Sequence, residues 1–204
     1  MWHAGSPMQM LLGSLRGMYL CVPRNLTQAA GFYNTLLESN DPALVIEPLK
    51  GYNQKEKMPK NIGEFKVPLG VPEIVKEGTD VTIVTYAWNV HHAVKTGSLL
   101  QKLKGISAEV IDVQTLLPFD VNHVILESIK KTNKVIFVDE DVPGGATAFM
   151  MQKVMEEQKA FNYLDTAPRT LSAKEHRPAY GIDGEYFSKP NVELIFRNIY
   201  EMMR

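Results

Sequence analysis

The chain has 204 residues and a formal net charge of -1 at pH 7; 45% of its residues are hydrophobic and 22% are charged. This balance is typical of a folded globular protein, and it excludes the strong basic charge of proteins that bind nucleic acid or an anionic membrane. The single cysteine, Cys21, excludes an internal disulfide, and no stretch reaches the roughly 20 apolar residues of a membrane-spanning helix. A reduced thiol without a secretory signal predicts a cytoplasmic protein.

The first 50 residues alternate between helical and strand patterns. The predicted elements are a helix beginning at Ser6 and Pro7, a strand at 18–22, a helix from Asn25 to about Leu37, and a strand at 43–47. Pro7 suits the first helical position because proline lacks an N–H, and Asn25 with Gln28 forms a capping-box pattern. Two helices and two strands bury too little surface to fold alone, so we expect them to be the end of a larger domain.

Residues 51–62 lose the apolar periodicity and are predicted to be a linker. A regular series follows, with strands at 80–86, 107–112, 134–140 and near Thr170, and helices from about Val90 to Lys104, Asp120 to Lys131, Ala146 to Lys159, and from Asn191. Continuous Val and Ile runs that alternate with helices predict an α/β fold, a parallel sheet covered by helices on both faces.

Ligands bind beyond the carboxyl ends of the strands in an open parallel sheet. This sequence places there Tyr86, Trp88, Asp112 and the acidic run 139–141. Carboxylates suit a hard cation, but three consecutive side chains at a strand end point in different directions, so we favour structural roles. Gly144 and Gly145 lack the further residues of a phosphate loop, and a tight turn is the favoured interpretation.

The histidines offer one candidate for chemistry. His91, His92 and His123 lie on predicted helices without the spacing of a metal site, and structural roles are favoured for all three. His3 precedes the first helix, at a junction where a side chain can face a cleft. Spacing alone still favours a structural role for His3.

Six segments occur together in a specific order. They are "WHAGSP", "LCVP", "DPALVIEP", "VPLGVPEIVKEGTDVTIVTYAWNVHHA", "GISAEVIDVQTLLPFD" and "KVIFVDEDVPGGATAFM". This series resembles the beta subunit of the thiamine-diphosphate-dependent dehydrogenase component of 2-oxo acid dehydrogenase complexes, of the pyruvate and branched-chain types. The resemblance covers nearly the whole chain.

The resemblance implies a domain organisation. Residues 1–50 would be the C-terminal remnant of a pyrimidine-binding α/β domain, 51–62 a linker, and 63–204 a transketolase C-terminal-like domain with a three-layer parallel-sheet architecture. Most of the pyrimidine-binding domain would precede Met1, so the chain is expected to be a fragment that supplies assembly and docking surface and is inactive alone.

The resemblance also implies an activity for the complete enzyme: oxidative decarboxylation of a 2-oxo acid on thiamine diphosphate and transfer of the acyl group to lipoamide. Thiamine diphosphate and magnesium are not expected in this chain, because the activating glutamate would precede Met1 and the diphosphate site would belong to the partner. The implied partners are an alpha subunit or alpha-like half, a second beta subunit and the lipoyl acyltransferase core, with no nucleic acid and no membrane.

Four residues acquire roles by this resemblance. His3 aligns with the family's active-site histidine, which assists proton transfer, although Trp2, Ala4 and Gly5 replace the family's Tyr, Ser and Gln. A structural potassium ion would be held by ligands from the loop after the second helix, namely Leu36, Ser39 and Asp41. The remaining potassium ligands would precede Met1.

One docking hypothesis and two other functions remain open from the sequence. Asp183, Glu185 and the terminal carboxylate of Arg204 are expected to gather on one face and attract basic residues of the acyltransferase core. The alternatives are the C-terminal part of a transketolase or deoxyxylulose phosphate synthase, and a free-standing α/β nucleotide-binding or interaction module. A complete phosphate loop would favour the last, and the sequence does not contain one.

Overall fold

Two β-sheets organise residues 5–176 and 183–204, the part of the chain that the computed structural model describes. The strands are β1 (Tyr19–Cys21), β2 (Ala43–Val45), β3 (Glu73–Lys76), β4 (Val81–Thr85), β5 (Ala108–Asp112), β6 (Thr115–Leu117), β7 (Val135–Val138) and β8 (Arg169–Leu171). The helices are α1 (Met8–Ser14), α2 (Leu26–Leu36), α3 (Asn89–Lys104), α4 (Val124–Thr132), α5 (Ala146–Gln152), α6 (Gly184–Ser188) and α7 (Val192–Met202).

The larger sheet has the strand order β3-β5-β4-β7-β8. β4 pairs in parallel with both β5 and β7, and β7 pairs in parallel with β8, which confirms the predicted parallel arrangement. β3 adds an antiparallel edge. β3 was not predicted, because its four residues are only half-buried and carry no continuous apolar run.

Helices cover both faces of this sheet, as predicted. Side chains alternate along each strand, so Ile83 and Ile136 pack on one face with α3 and α7, whereas Val84 and Phe137 pack on the other face with α4 and α5. Both cores contain fully buried aliphatic side chains. The resulting helix-sheet-helix layering is the three-layer α/β fold expected from the sequence.

The smaller sheet joins the N-terminal part of the described chain to the segment that follows β5. β1 pairs in parallel with β2 and, on its other side, antiparallel with β6, which follows β5 after two residues. β6 was not predicted. Hydrogen bonds therefore cross the expected boundary between residues 1–50 and 63–204, and the two parts are joined by strand pairing as well as by the linker.

Local signals define several helix ends, and the cap at Asn25 and the end of α3 agree with the sequence prediction. Asn25 Oδ1 accepts from Gln28 N at 2.9 Å, Asn191 Oδ1 accepts from Leu194 N at 2.9 Å, and Gly105 ends α3 with φ 70°. The Gln28 side chain accepts from the backbone N of Arg24 rather than from that of the cap residue.

Three helix boundaries differ from the prediction. The helix expected at Asp120 begins at Val124, and the Asp120 carboxylate caps it from outside by accepting from the backbone N of Val124 at 2.7 Å. α1 begins at Met8, so Pro7 occupies the cap position instead of the first helical position. α5 ends at Gln152 and continues as a π-helical turn, Lys153–Glu157. Such shifts are common at helix ends, where few hydrogen bonds decide the boundary.

None of the helices in the described ranges is long and apolar enough to cross a membrane.

Candidate functional site

A cleft of about 230 Å³ opens where the carboxyl ends of strands from both sheets meet. Val22 follows β1, Ile46 follows β2, Tyr86 and Trp88 follow β4, and Glu140 follows β7; all five line the cleft. This position agrees with the rule that ligands bind beyond the carboxyl ends of parallel strands. The cleft is therefore the candidate functional site.

The entry to α1 forms one wall of the cleft. Gly5, Ser6, Pro7 and Met8 line it, and Met8 is buried. The predicted catalytic residue His3 lies outside the described residues.

The acidic run 139–141 does not converge on one point. Asp139 accepts a hydrogen bond from the Tyr86 hydroxyl, Glu140 lies 3.0 Å from Lys189 Nζ, and Asp141 accepts from the backbone N of Gln9 at 2.7 Å. No group of three or more His, Cys, Asp or Glu side chains suited to a metal ion occurs in residues 5–176 and 183–204. The three acids thus have the separate structural contacts that the sequence favoured.

Asp139 is the most perturbed acid of the run. Its side chain is fully buried, and burial raises its pKa to about 7, although the hydrogen bond from Tyr86 opposes the shift. Within the described part of the chain, Asp139 Oδ2 has no hydrogen-bond partner. Burial likewise raises the pKa of Tyr86 well above its usual value. A neutral Tyr–Asp pair therefore lies behind the cleft wall at pH values below about 7.

A chain of ion pairs crosses the mouth of the cleft. Lys189 lies between Glu140 at 3.0 Å and Glu185 at 3.5 Å, and Glu185 also pairs with Lys50. Burial by itself would raise the pKa of Glu185. The charges and hydrogen bonds of Lys50 and Lys189 have the larger combined effect, so the net pKa of Glu185 is lowered. Lys50 belongs to the 3-10 turn Leu49–Asn53 beside the predicted linker, and sequence reasoning did not identify any of these contacts.

The expected gathering of Asp183, Glu185 and the C-terminal carboxylate is wrong. Glu185 faces the cleft mouth, and α6 is tied to the start of α7 by the hydrogen bond from Asn191 Nδ2 to the Tyr186 carbonyl. Arg204 lies past the other end of α7, an 11-residue helix about 16 Å long. There its guanidinium carbon lies 4.7 Å from the centroid of the Tyr200 ring.

Asp112, predicted at the same edge, is the centre of a buried junction. Its carboxylate accepts from Arg24 Nη1 at 2.6 Å and from Gln28 Nε2 at 3.1 Å, and Arg24 also pairs with Glu73 at 2.7 Å. Burial raises the pKa of Asp112 above its usual value, and the Arg24 guanidinium offsets only part of this effect. The junction links the start of α2 with β5 and β3. It was missed because no local pattern relates residues 24 and 112.

The glycines and two of the histidines near the site have structural surroundings. A Cβ at Gly145 would lie 2.6 Å from Asp141 Oδ2, and Gly144 has φ +88°, so both belong to a turn that suits glycine. His91 Nε2 lies 3.1 Å from the Arg24 carbonyl, and His123 occupies the cap position of α4 with φ 56°. These positions agree with the interpretations that the sequence favoured.

The three predicted potassium ligands lie on the loop between α2 and β2. The Leu36 carbonyl accepts from Ser39 N at 3.0 Å, Ser39 Oγ accepts from Asp41 N at 3.2 Å, and Asp41 Oδ2 accepts from the Tyr19 hydroxyl at 3.0 Å. The first two hydrogen bonds connect the three residues to one another, and the third ties Asp41 to β1.

Comparison with known proteins identifies a domain family. The family described as "Transketolase, C-terminal domain" matches residues 70–187. The chain is 30% identical over 194 residues to the mitochondrial pyruvate dehydrogenase E1 component subunit beta of Saccharomyces cerevisiae, covering 94% of this chain and 52% of that protein. It is 31% identical over 167 residues to the mitochondrial 2-oxoisovalerate dehydrogenase subunit beta of Chaetomium thermophilum, covering 81% and 35% respectively.

A solved structure shares the fold. A split gene transketolase, described as an inactive beta4 tetramer, superposes with a TM-score of 0.74 at 19% sequence identity, covering 97% of this chain and 61% of that one. The chain spans about half the length of the yeast protein and about a third of the Chaetomium protein.

Proposed function

Because the chain belongs to the transketolase C-terminal domain family, we propose that it is the C-terminal part of the beta subunit of a 2-oxo acid dehydrogenase component, an oxidoreductase. In this proposal the complete enzyme decarboxylates pyruvate or a branched-chain 2-oxo acid and transfers the acyl group to lipoamide. The relatives named as pyruvate and 2-oxoisovalerate dehydrogenase subunits favour this function over a transketolase part or a free-standing α/β module.

One structural observation carries the proposal: the cleft is built jointly by residues 5–8, the small sheet and the large sheet. Residues 5–50 lie outside the range of the matched domain, yet they supply more than half of the residues that line the cleft. We assign residues 1–50 to the end of a pyrimidine-binding domain, 51–62 to a linker and 63–204 to the transketolase C-terminal-like domain.

The cleft does not suit the diphosphate of the cofactor, and no cluster of acids or histidines within residues 5–176 and 183–204 is suited to hold its magnesium. Its polar rim contains Glu47, Glu140 and Glu185, which repel a diphosphate, and Lys50 and Lys189 are already paired with carboxylates. The turn at Gly144 and Gly145 is filled by the Asp141 side chain. We therefore assign thiamine diphosphate and magnesium to the assembled enzyme, with their main contacts outside this chain, and assign no step through the cofactor to these residues.

His3 is the proposed catalytic residue of this chain. Its imidazole would accept and return a proton during acyl transfer to lipoamide, a task that suits a group with an ordinary pKa near neutrality. The support is the matching "WHAGSP" segment and the position of Gly5 and Ser6, which follow His3 closely and line the cleft.

The proposed partners are an alpha subunit, a second beta subunit and the lipoyl acyltransferase core. Potassium bound by Leu36, Ser39 and Asp41 is part of the proposal for the assembled enzyme, where additional ligands would complete the site. A cytoplasmic location stays a prediction, and both relatives named above are mitochondrial.

The proposal is tested with the complete subunit purified together with its alpha partner. We expect 2-oxo acid-dependent reduction and acylation of lipoamide, which His3→Asn lowers by at least tenfold. His123→Asn is the matched control because His123 is exposed and its positive φ tolerates asparagine. Turnover of sugar phosphates without turnover of any 2-oxo acid would favour the transketolase alternative, and equal rates for His3→Asn and His123→Asn would remove the role of His3.

A further inference from the structure

Tyr86 and Asp139 form a buried pair at the carboxyl ends of two neighbouring strands. Tyr86 follows β4, Asp139 follows β7, and their side chains are 3% and 0% exposed. The Tyr86 ring lines the cleft while its hydroxyl donates to Asp139 Oδ1 behind the wall. Among the described residues nothing pairs with Asp139 Oδ2. A buried carboxylate with an unpartnered oxygen costs more free energy when charged than when neutral.

The turn after Asp139 connects this pair to α1. The Asp141 carboxylate accepts from the backbone N of Gln9 at 2.7 Å and from that of Val142 at 2.8 Å. The Gln9 N–H belongs to the first turn of α1, where backbone donors have no partner within the helix. Gly145 leaves room for this carboxylate. Asp141 thus holds the start of α1, 132 residues away in sequence, against the large sheet.

We propose that Asp139 is a positioning residue of the cleft, whose protonation determines how firmly Asp141 holds the first turn of α1. While Asp139 is neutral, it does not repel the Asp141 carboxylate, which holds the backbone N–H of Gln9. When Asp139 loses its proton, two carboxylates two residues apart repel each other in a buried turn, which opens or takes up water. The first turn of α1 then loosens, and with it the cleft wall formed by residues 5–8.

The charges that face Asp139 are consistent with this coupling. Tyr86 on β4 donates to it, whereas Glu140 and Asp141 in its own turn are acidic and raise its pKa further. Lys189 pairs with Glu140 of this turn. The inference rests on the proposed function only in treating the cleft wall before α1 as part of a functional site. The contacts themselves involve described residues alone.

The test is hydrogen exchange of the α1 amides in the full chain between pH 5 and 8.5, with protection corrected for intrinsic exchange. Because the folded-state pKa of Asp139 is raised, the stabilisation is present at low pH and lost as the pH rises to about 7. We expect α1 protection to fall toward pH 7 and level off above it. In Asp139→Asn, which mimics the neutral acid, protection should stay constant.

Two further variants separate positioning from simple packing. Tyr86→Phe removes the hydrogen bond that favours the charged form, so the midpoint should move to higher pH, whereas exposed Asp165→Asn should behave as wild type. The carboxyl carbon of Asp139 should titrate with a midpoint near 7 by NMR. Protection of α1 that is independent of pH in the wild type, or an Asp139 midpoint below 5, would overturn the inference. These readouts need no catalysis, so they stand apart from failure of the proposed function.

Discussion

Replacement of Arg24 by methionine is the most direct test of how the two sheets are joined. The Asp112 side chain is fully buried, and its charge is compensated by Arg24 Nη1 at 2.6 Å. Removing one member of a buried ion pair leaves an uncompensated charge and costs about 3–5 kcal/mol. Asp112 keeps its hydrogen bonds from Gln28 Nε2 and Gln114 N, both at 3.1 Å, so we expect a loss near the lower limit, about 3 kcal/mol.

The assay is urea unfolding of the chain followed by circular dichroism, with Lys66→Met as the control. Lys66 pairs with Glu38 at 2.6 Å, but both side chains are exposed, so the control should cost no more than about 1 kcal/mol. The double variant of Arg24→Met and Asp112→Asn should lose much less than the sum of the single losses, because no buried charge remains unpaired.

The pH dependence gives a second check on Arg24→Met. Without Arg24, the pKa of Asp112 rises further because only the hydrogen bonds from Gln28 and Gln114 then oppose the effect of burial. A raised pKa in the folded state means that stability is retained at low pH and lost as the pH rises. The variant should therefore be closest to the wild type in acid. A loss for Arg24→Met no larger than that for Lys66→Met, or additive single losses, would refute the ion-pair explanation.

Three further outcomes follow from single residues. Gly78→Ala should abolish stable folding by thermal denaturation, because a Cβ there would lie 2.2 Å from the Ala108 carbonyl carbon; Gly13→Ala, with no described atom within 4 Å, should fold normally. Cys21, whose pKa burial raises to about 12, should react with a disulfide reagent at pH 8 at least 100-fold more slowly in the native than in the urea-unfolded chain. Asn191→Ala should lower the free energy of unfolding by about 1 kcal/mol, because α7 loses its cap.

The sequence by itself determined the features that depend on neighbouring residues. The Asn25 cap acts on an amide three residues away, so its chemistry is visible in a short window. The buried runs of β4, β5 and β7 were equally clear, because strands covered on both faces are apolar throughout. The parallel arrangement and the edge at which Tyr86 and the acidic run meet followed from the alternation of strands and helices.

Tertiary structure alone decided which of these residues contact one another. β6 is three residues long and pairs with β1, far away in sequence, so no local pattern marked it. Arg24 and Asp112 are 88 residues apart, and the pairing of Lys50 with Glu185 spans still more of the chain. A charged residue has the same sequence signal whether it is solvated or paired. Its role depends on which neighbouring groups are buried together with it, and packing between distant segments decides that.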